Sequence, residues 1–201
     1  RQTQEMGIKN IEYLQADILD LQQLGRKFDI IESFGVLHHM SNPSAGLKVL
    51  TSCLNPSGVM MISLYSALAR EKIAAFRESL KIETLNMDNS TMKSLRKQLI
   101  LSSDEHCEGI INSPDFFSLG SLRDLLFHVK EHNFTLNQVN KLIYDEKLKF
   151  CGFEAKDIVE KFSLTAVSSD ELYDLEKWHM FELENPKIFG ATDGFWCQKV
   201  S

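Results

Sequence analysis

Residues 28–65 decide the fold of this 201-residue chain, and they read FDIIESFGVLHHMSNPSAGLKVLTSCLNPSGVMMISLY. Two nearly continuous apolar runs, at 28–34 and 59–65, enclose a segment at 44–54 whose apolar residues have helical spacing. Continuous apolar strands separated by a helix are typical of a parallel sheet that is covered on both faces. The stretch therefore predicts an α/β fold.

The residues on either side extend the same pattern. A short apolar run at 11–16 predicts a further strand, which ends before Asp17. Runs at 150–159 and 195–200 predict two closing strands. From residue 66 the pattern changes to helices without obvious strands, so we expect a helical segment inside the α/β unit.

Capping signals mark two later helices. Thr135 and Gln138 have the spacing of a capping box, in which each side chain bonds the backbone N–H of the other residue. Ser168 and Glu171 have the same spacing and predict a helix that continues to about residue 183.

The composition narrows the classes of function. A net charge of −6 argues against nucleic acid or an anionic membrane as the main partner, because both repel an acidic protein. The four cysteines form no Cys-x-x-Cys pair, and the longest apolar run, at 59–65, is too short to span a bilayer. We therefore expect a cytoplasmic protein that acts on a small molecule or on another protein.

Five segments, taken in order, resemble strands three to seven of the class I S-adenosylmethionine-dependent methyltransferases. They are IEYLQADILDL, FDIIESFGVLHHM, LNPSGVMMISLY, GFEAKDIV and FWCQKV. The stretches SLRDLLFHVKEHNFTL and WHMFELENP further resemble the bacterial members that follow tetratricopeptide repeats. In LNPSG, Ser57 stands where the family usually has the first glycine of an LxPGG turn, and we expect only Gly58 to need a positive φ.

The resemblance implies a Rossmann-like fold of which this chain holds a part, strands three to seven, with a helical insertion after strand five. The implied units are a partial cofactor-binding α/β core (1–65), a helical insertion or substrate lid (66–134) and the C-terminal part of the core (135–201). In the family's strand order, 3-2-1-4-5-7-6, the glycine-rich cofactor loop belongs to the first two strands, which this chain lacks. We expect residues 28–34 to expose an apolar edge, which a missing N-terminal segment or a second copy in a homodimer would cover.

The resemblance also implies S-adenosylmethionine as the cofactor. Asp17 and Ile18 correspond to the residues that contact the adenine, through a carboxylate and the next backbone amide. Ser33, Phe34 and Gly35 correspond to the loop beside the methionine moiety and the substrate. Both positions lie at the ends of predicted strands, and open parallel sheets bind ligands at the carboxyl ends of their strands. The alternative for Asp17 is a turn or a helix cap.

Two adjacent histidines, His38 and His39, are the candidate catalytic residues. Methyl transfer from a sulfonium is an in-line displacement, so alignment and desolvation of the nucleophile supply most of the catalysis. A base helps only where the acceptor holds a proton, and an imidazole with a pKa of about 6.5 suits that role. The alternative is that one ring packs against the cofactor and the other is solvated.

A second pattern points to different chemistry. Residues 128–132 read HVKEH, which fits the H-x-x-E-H pattern of inverted zinc peptidases and would put two histidines on one helix face. The surrounding motifs belong to another fold, and the nearby Leu125, Leu126 and Val129 are typical of an ordinary amphipathic helix. We therefore expect no metal site.

The C-terminal third of the chain is rich in aromatic residues. We expect them to pack in the core of the last helix and strand, in preference to stacking on a substrate. They are Trp178, Phe181, Phe189, Phe195 and Trp196.

Two functions from different classes remain open. In the first, the protein transfers a methyl group from S-adenosylmethionine to a small-molecule or protein acceptor, and this chain alone binds the cofactor weakly or not at all. In the second, the chain is a non-catalytic interaction module that retains a methyltransferase-like fold. An upstream glycine-rich loop would favour the enzyme, and its degeneration would favour the module.

Overall fold

The computed structural model describes residues 2–80, 88–102, 105–127, 130–186, 188–190 and 192–200. Among these residues one mixed sheet contains β1 Phe28–Phe34, β2 Leu54–Ser66, β3 Asn133–Phe134, β4 Leu148–Phe153 and β5 Thr192–Lys199. The α-helices are α1 Gln2–Glu5, α2 Pro43–Cys53, α3 Glu71–Leu80, α4 Asn89–Leu101, α5 Glu105–Ile111, α6 Leu119–Phe127, α7 Leu136–Asp145, α8 Lys156–Ser163 and α9 Leu175–Glu184. Short 3-10 turns occur at Ile18–Leu24, Leu37–His39, Pro114–Phe117 and Ser169–Tyr173. None of the described helices has the length and apolar character needed to cross a membrane.

The four longer strands lie in the order β1-β2-β5-β4. β1 is parallel to β2, whereas β5 is antiparallel to both β2 and β4, and the short β3 pairs with the carboxyl end of β2. The predicted α/β class is confirmed, with a sheet that is mixed. The order is the one that the resemblance implies for strands four, five, seven and six.

The helix that joins β1 to β2 has a clear start. The Oδ1 atom of Asn42 accepts a hydrogen bond from the N–H of Ala45 at 3.2 Å, and Pro43 occupies the first turn, where its missing N–H costs no bond. Leu47 and Leu50 are buried against the sheet. The helix predicted at 44–54 is therefore confirmed as α2.

The start of β2 is irregular, and the register between β1 and β2 shifts there. Ser57 adopts a φ of +61°, so the expectation that Gly58 needs the positive φ is wrong. Glycine is favoured at 58 for a different reason. A Cβ atom at Gly58 would lie 3.0 Å from the carbonyl oxygens of Asp29 and Asn55, which is too close for an alanine without local movement.

The strand predicted at 11–16 does not form, and that prediction is wrong. These residues make no backbone hydrogen bond to any described residue, and Ile11, Tyr13 and Leu14 are exposed. A strand is stable only when a neighbouring strand pairs with its N–H and C=O groups. None of the described strands pairs with this run, so its apolar pattern has no sheet to join.

The apolar run at 150–159 belongs to two elements, so the prediction of a single strand is wrong in its second half. β4 ends at Phe153, and α8 begins at Lys156. Ile158 and Phe162, four residues apart, are both buried against the main core, which is the spacing of one helix face.

The helix predicted from Ser168 begins later than expected. The side chain of Ser168 makes no capping bond, and a carboxylate oxygen of Glu171 accepts from the N–H of Val167 at 3.0 Å instead. α9 follows the 3-10 turn, and the Asp174 carboxylate caps it by accepting from the N–H of Glu176 at 2.9 Å.

The main core lies between the sheet and helices α2, α7, α8 and α9. Trp178 is fully buried at its centre, with its ring 4.0 Å from that of Phe162 and 4.8 Å from that of Phe153. The predicted core role of the aromatic tail is confirmed for its four buried residues, Trp178, Phe181, Phe189 and Phe195. Trp196 is half-buried.

The helices α3 to α6 have a core of their own, separate from the main core, with Met92, Ile110 and Leu122 fully buried in it. We call residues 71–127 the helical segment. The chain leaves the sheet at Ser66 and returns at Asn133, next to the point where it left, because β3 pairs with the end of β2. The predicted boundaries of the insertion, 66 and 134, remain predictions.

β1 forms one edge of the described sheet, where it pairs with β2 alone. The side chains of Ile30 and Phe34 on this strand are 59% and 57% exposed. An edge strand with exposed apolar side chains is a surface that another strand can join.

Candidate functional site

The carboxyl ends of β1 and β2 lie side by side, because the two strands are parallel. β1 leads into Gly35, whose φ of +66° favours glycine, and then into a 3-10 turn. We call residues 35–41 the β1 loop. Leu37 anchors this loop in the main core, and α2 can approach it because Gly46 has no side chain: a Cβ there would lie 2.8 Å from Leu37 and 2.4 Å from Met40.

Three side chains form a stack at this edge of the sheet. The ring of His38 lies 3.8 Å from the ring of Tyr65 at an angle of 22°, and the guanidinium carbon of Arg70 lies 3.8 Å from the same Tyr65 ring. Two groups cannot occupy one position above a ring, so His38 and Arg70 cover opposite faces of Tyr65. His39 meets the His38 ring at its edge, with the ring centres 4.3 Å apart.

A buried ion pair fixes the outer end of the stack. Arg70 donates through Nε to one oxygen of Glu131 at 3.0 Å and through Nη2 to the other at 3.1 Å. Arg77 donates a further short hydrogen bond to the same carboxylate. The Arg70 and Glu131 side chains are 1% and 5% exposed, so each needs the other to offset its loss of hydration.

His38 is neutral at pH 7. Its side chain is fully buried, and burial is the main cause that lowers the pKa of His38 to about 4. A charge on His39 or Arg70 lowers this pKa further, whereas the carboxylate of Glu131 opposes them. The backbone of Ser63, close to the ring, also opposes the shift in pKa, although no hydrogen bond of ordinary geometry reaches either ring nitrogen of His38 within the described part of the chain.

We expect His38 to make the protein less stable in mild acid. The imidazole has a pKa of 6.5 when unfolded and about 4 when folded, so the unfolded chain takes up the proton first and the contribution of His38 is lost as the pH falls from 6.5 towards 4. Between pH 7.5 and pH 5 the free energy of unfolding should fall by about 2 kcal/mol from this residue. Urea unfolding of His38→Gln should show that much less pH dependence. The exposed His132→Gln variant is the control, and equal pH dependence in both variants would contradict the prediction.

His39 is half-buried, and its Nδ1 atom lies 3.1 Å from the carbonyl oxygen of Lys130. A carbonyl oxygen can only accept, so Nδ1 must carry the hydrogen. In the neutral ring, Nε2 is then the nitrogen that can take up a proton. Burial raises the pKa of the neighbouring Tyr65, whose hydroxyl therefore stays protonated at neutral pH.

Asp17 and Ile18 begin the 3-10 turn that precedes β1. One carboxylate oxygen of the exposed Asp17 accepts from the N–H of Leu19 at 2.9 Å. Asp17 is therefore a helix cap, which is the alternative that the sequence analysis gave for it. Its second oxygen makes no hydrogen bond to any residue in the described ranges. As the first residue of the turn, Ile18 has an N–H without an intrahelical partner.

The remaining predicted cofactor residues end β1. Ser33 is buried, and its hydroxyl has no partner among the described residues. Phe34 is exposed. A Cβ atom on Gly35 would meet nothing within 4 Å, so the backbone here is open to close approach.

Five of the predicted residues lie at the end of β1 and in the loop that follows, namely Ser33, Phe34, Gly35, His38 and His39, and among them the rings of His38 and His39 are in contact. Asp17 and Ile18 lie on a separate turn, and no hydrogen bond or ring contact joins them to the β1 loop within the described structure. All of these assignments remain predictions.

The sequence did not predict that Tyr65, Arg70 and Glu131 take part in one stack with its ion pair, although Tyr65 ends a predicted strand. Arg70 and Glu131 are 61 positions apart, and no local spacing links them. Glu131 did stand out, but in the zinc pattern. Its carboxylate is engaged by two arginines, His132 is exposed, and His128 lies outside the described residues. The described residues contain no cluster of three or more side chains that could hold a metal ion.

The family assignment follows from the sequence. A family model described as a methyltransferase domain matches residues 1–113, which is more than half of the chain. The chain belongs to the methyltransferase domain family. The match begins before Asp17, includes β1 and β2, and extends into the helical segment.

Two relatives of this methyltransferase domain match different lengths of its sequence. An uncharacterized protein of Synechococcus sp. is 27% identical over 204 residues, which cover 92% of this chain and 48% of that protein. The tRNA U34 carboxymethyltransferase of Campylobacter jejuni is 42% identical over 52 residues, which cover 26% of this chain and 18% of the enzyme. The methyltransferase domain thus spans about half the length of the first relative, whereas the match to the second is a short segment that covers less than a fifth of that enzyme.

A solved structure shows the same fold. PKMT2 from Rickettsia typhi, in complex with AdoHcy, superposes with a TM-score of 0.67 and 17% sequence identity. The alignment covers 98% of this methyltransferase domain and 41% of PKMT2. At this identity the likeness concerns the fold alone, which is an α/β Rossmann-like methyltransferase fold.

Proposed function

We propose that the protein transfers a methyl group from S-adenosylmethionine to a small-molecule or protein acceptor, and that these 201 residues supply the adenine side of the cofactor site and the loop that faces the acceptor. One observation carries the proposal. At the start of one turn, Asp17 has an unoccupied carboxylate oxygen and Ile18 has an unoccupied N–H among the described contacts. An amino-purine edge presents the matching donor and acceptor.

When bound, S-adenosylmethionine supplies an electrophilic methyl group on a sulfonium. Asp17 would accept from the adenine amine, and the Ile18 N–H would donate to the ring. Gly35 would let the backbone approach closely, and Leu37 would help to exclude water. His39 suits the role of base better than His38 does, because it is half-exposed and its Nε2 can take up a proton. His38, buried and neutral, would hold the ring of Tyr65.

Two further features belong to this proposal. We take the open edge of β1 to be covered in the working protein, either by residues outside these 201 or by a second copy of the chain. The exposed Ile30 and Phe34 support a covering strand. A tetratricopeptide-repeat region ahead of the domain, as the resemblance implies, would be part of the same longer protein.

The test is calorimetric titration of AdoHcy into the full-length protein. We expect micromolar binding by the full-length protein and weak or no binding by the 201-residue chain alone. Asp17→Asn keeps an oxygen for the Leu19 N–H but removes the second acceptor, so its dissociation constant should rise about tenfold, or 1.4 kcal/mol. Asp20→Asn, in the same turn, is the matched control and should stay within twofold of the wild type.

The outcomes separate the two functions. The enzyme would be supported if the full-length protein converts S-adenosylmethionine to AdoHcy in the presence of a panel of amines, thiols, phenols and carboxylic acids. This conversion should be slower in Asp17→Asn. No binding of AdoHcy by the full-length protein would reject the cofactor and favour the interaction module. Normal binding by Asp17→Asn would reject the proposed adenine contact.

A further inference from the structure

The chain returns from the helical segment through residues that also hold the β1 loop. We call residues 130–132 the return segment. The N–H of His132 donates to the carbonyl oxygen of His38 at 2.8 Å, and the carbonyl oxygen of Lys130 accepts from Nδ1 of His39 at 3.1 Å. The Lys130 ammonium donates to the hydroxyl of Ser41 at 2.6 Å. The return segment therefore contacts the β1 loop at three residues.

Glu131 lies between these contacts but points elsewhere. Its side chain is 5% exposed and accepts hydrogen bonds from Arg70 and Arg77. Arg70 lies on the connection between β2 and α3, and Arg77 lies on α3. One carboxylate thus joins the outgoing and returning chains. If its charge were removed, the buried Arg70 would lose its counter-ion and would gain by moving towards water.

A second route leads from Glu131 to the same loop. The two hydrogen bonds to Glu131 fix the plane of the Arg70 guanidinium, which covers one face of Tyr65. The other face of Tyr65 supports the ring of His38. Glu131 therefore acts on the β1 loop in two ways. Its neighbours in the return segment bond the loop, and Arg70, which it orients, supports His38 through the ring of Tyr65.

We propose that Glu131 is a positioning residue for the β1 loop: held by Arg70 and Arg77, it sets the place of the return segment and of the stack, and these set the places of His38 and His39. The proposal rests on the proposed function only where it concerns cofactor binding. It also couples the helical segment to the loop, because a shift of α3 moves Arg77 and with it the carboxylate of Glu131.

The test compares two isosteric variants of buried carboxylates in the full-length protein. Glu131→Gln should raise hydrogen–deuterium exchange in peptides that cover 35–41 at least tenfold, and should raise the dissociation constant for AdoHcy at least fivefold. Glu182→Gln is the matched control: Glu182 is also buried, but its hydrogen bond is to Ser66 at 2.8 Å and not to the β1 loop. This control should leave exchange at 35–41 and AdoHcy binding within twofold.

A third variant tests whether the effects of Glu131→Gln arise only because that variant misfolds. Arg77 is partly exposed, so Arg77→Gln should keep the melting temperature near that of the wild type and still raise exchange at 35–41 about threefold. Wild-type exchange at 35–41 in both variants, or an equal rise along the whole chain, would overturn the proposal. Failure of the wild type to bind AdoHcy would reject the proposed cofactor, while the exchange measurement would still decide the role of Glu131.

Discussion

Replacement of Trp178 by alanine should lower the free energy of unfolding by about 4 kcal/mol, measured by urea denaturation. The indole is fully buried and lies against the rings of Phe162 and Phe153. It also donates from Nε1 to the carbonyl oxygen of Leu172 at 3.0 Å. Alanine would leave a cavity between two helices and the sheet and would leave that carbonyl without its partner, so transfer, cavity and hydrogen-bond losses add.

An exposed aromatic residue supplies the control for this prediction. Tyr144 on α7 is 79% exposed, so Tyr144→Ala should change the free energy of unfolding by less than about 0.5 kcal/mol. A loss below about 1.5 kcal/mol for Trp178→Ala would mean that the surrounding rings close the cavity, and that Trp178 is not the centre of the core.

Replacement of Arg70 by methionine should lower the free energy of unfolding by about 3–5 kcal/mol. Methionine keeps the apolar stem but removes both hydrogen bonds to Glu131, whose carboxylate is 5% exposed. A charge left in that environment with only Arg77 as a partner costs much more than an exposed one.

The double variant Arg70→Met with Glu131→Leu distinguishes this cause from lost packing. The second substitution removes the carboxylate that Arg70→Met leaves with Arg77 alone. The remaining Arg77 is partly exposed, so water can hydrate its charge. We therefore expect the double variant to be more stable than Arg70→Met alone, by at least about 1 kcal/mol. Additive losses in the double-mutant cycle would show that the ion pair contributes nothing beyond its contacts.

Local signals in the sequence were sufficient to predict helices and strands around the candidate site. The capping box of Thr135 and Gln138 forms as predicted, with the Thr135 N–H donating to the Gln138 side chain at 2.9 Å. β1 matches its predicted range, because an apolar run between turn residues defines a strand by itself once a neighbour is present. The run at 11–16 shows the limit of that rule, since the same kind of pattern remains unpaired there.

The place of the candidate residues in the fold could be predicted, but the contacts among them could not. Gly35, His38 and His39 follow β1 directly, and the carboxyl ends of parallel strands share one edge of a sheet. The stack on Tyr65 and its anchor at Glu131 depend on how the helical segment returns to the sheet. A fold-level resemblance carries no information on such contacts between residues that are far apart in sequence.

The pairing of β3 with the end of β2 has a consequence for how this protein can change over evolution. Tyr65 lies opposite Asn133 and Ser66 opposite Phe134, so the two ends of the intervening chain are neighbours, separated by about one strand spacing of 5 Å. A polypeptide of almost any length can bridge so short a gap without altering the register of the sheet. A segment of another length could therefore replace residues 67–132 over evolution, provided that it substitutes both for the Arg70–Glu131 ion pair and for the hydrogen bonds of residues 130–132 to the β1 loop.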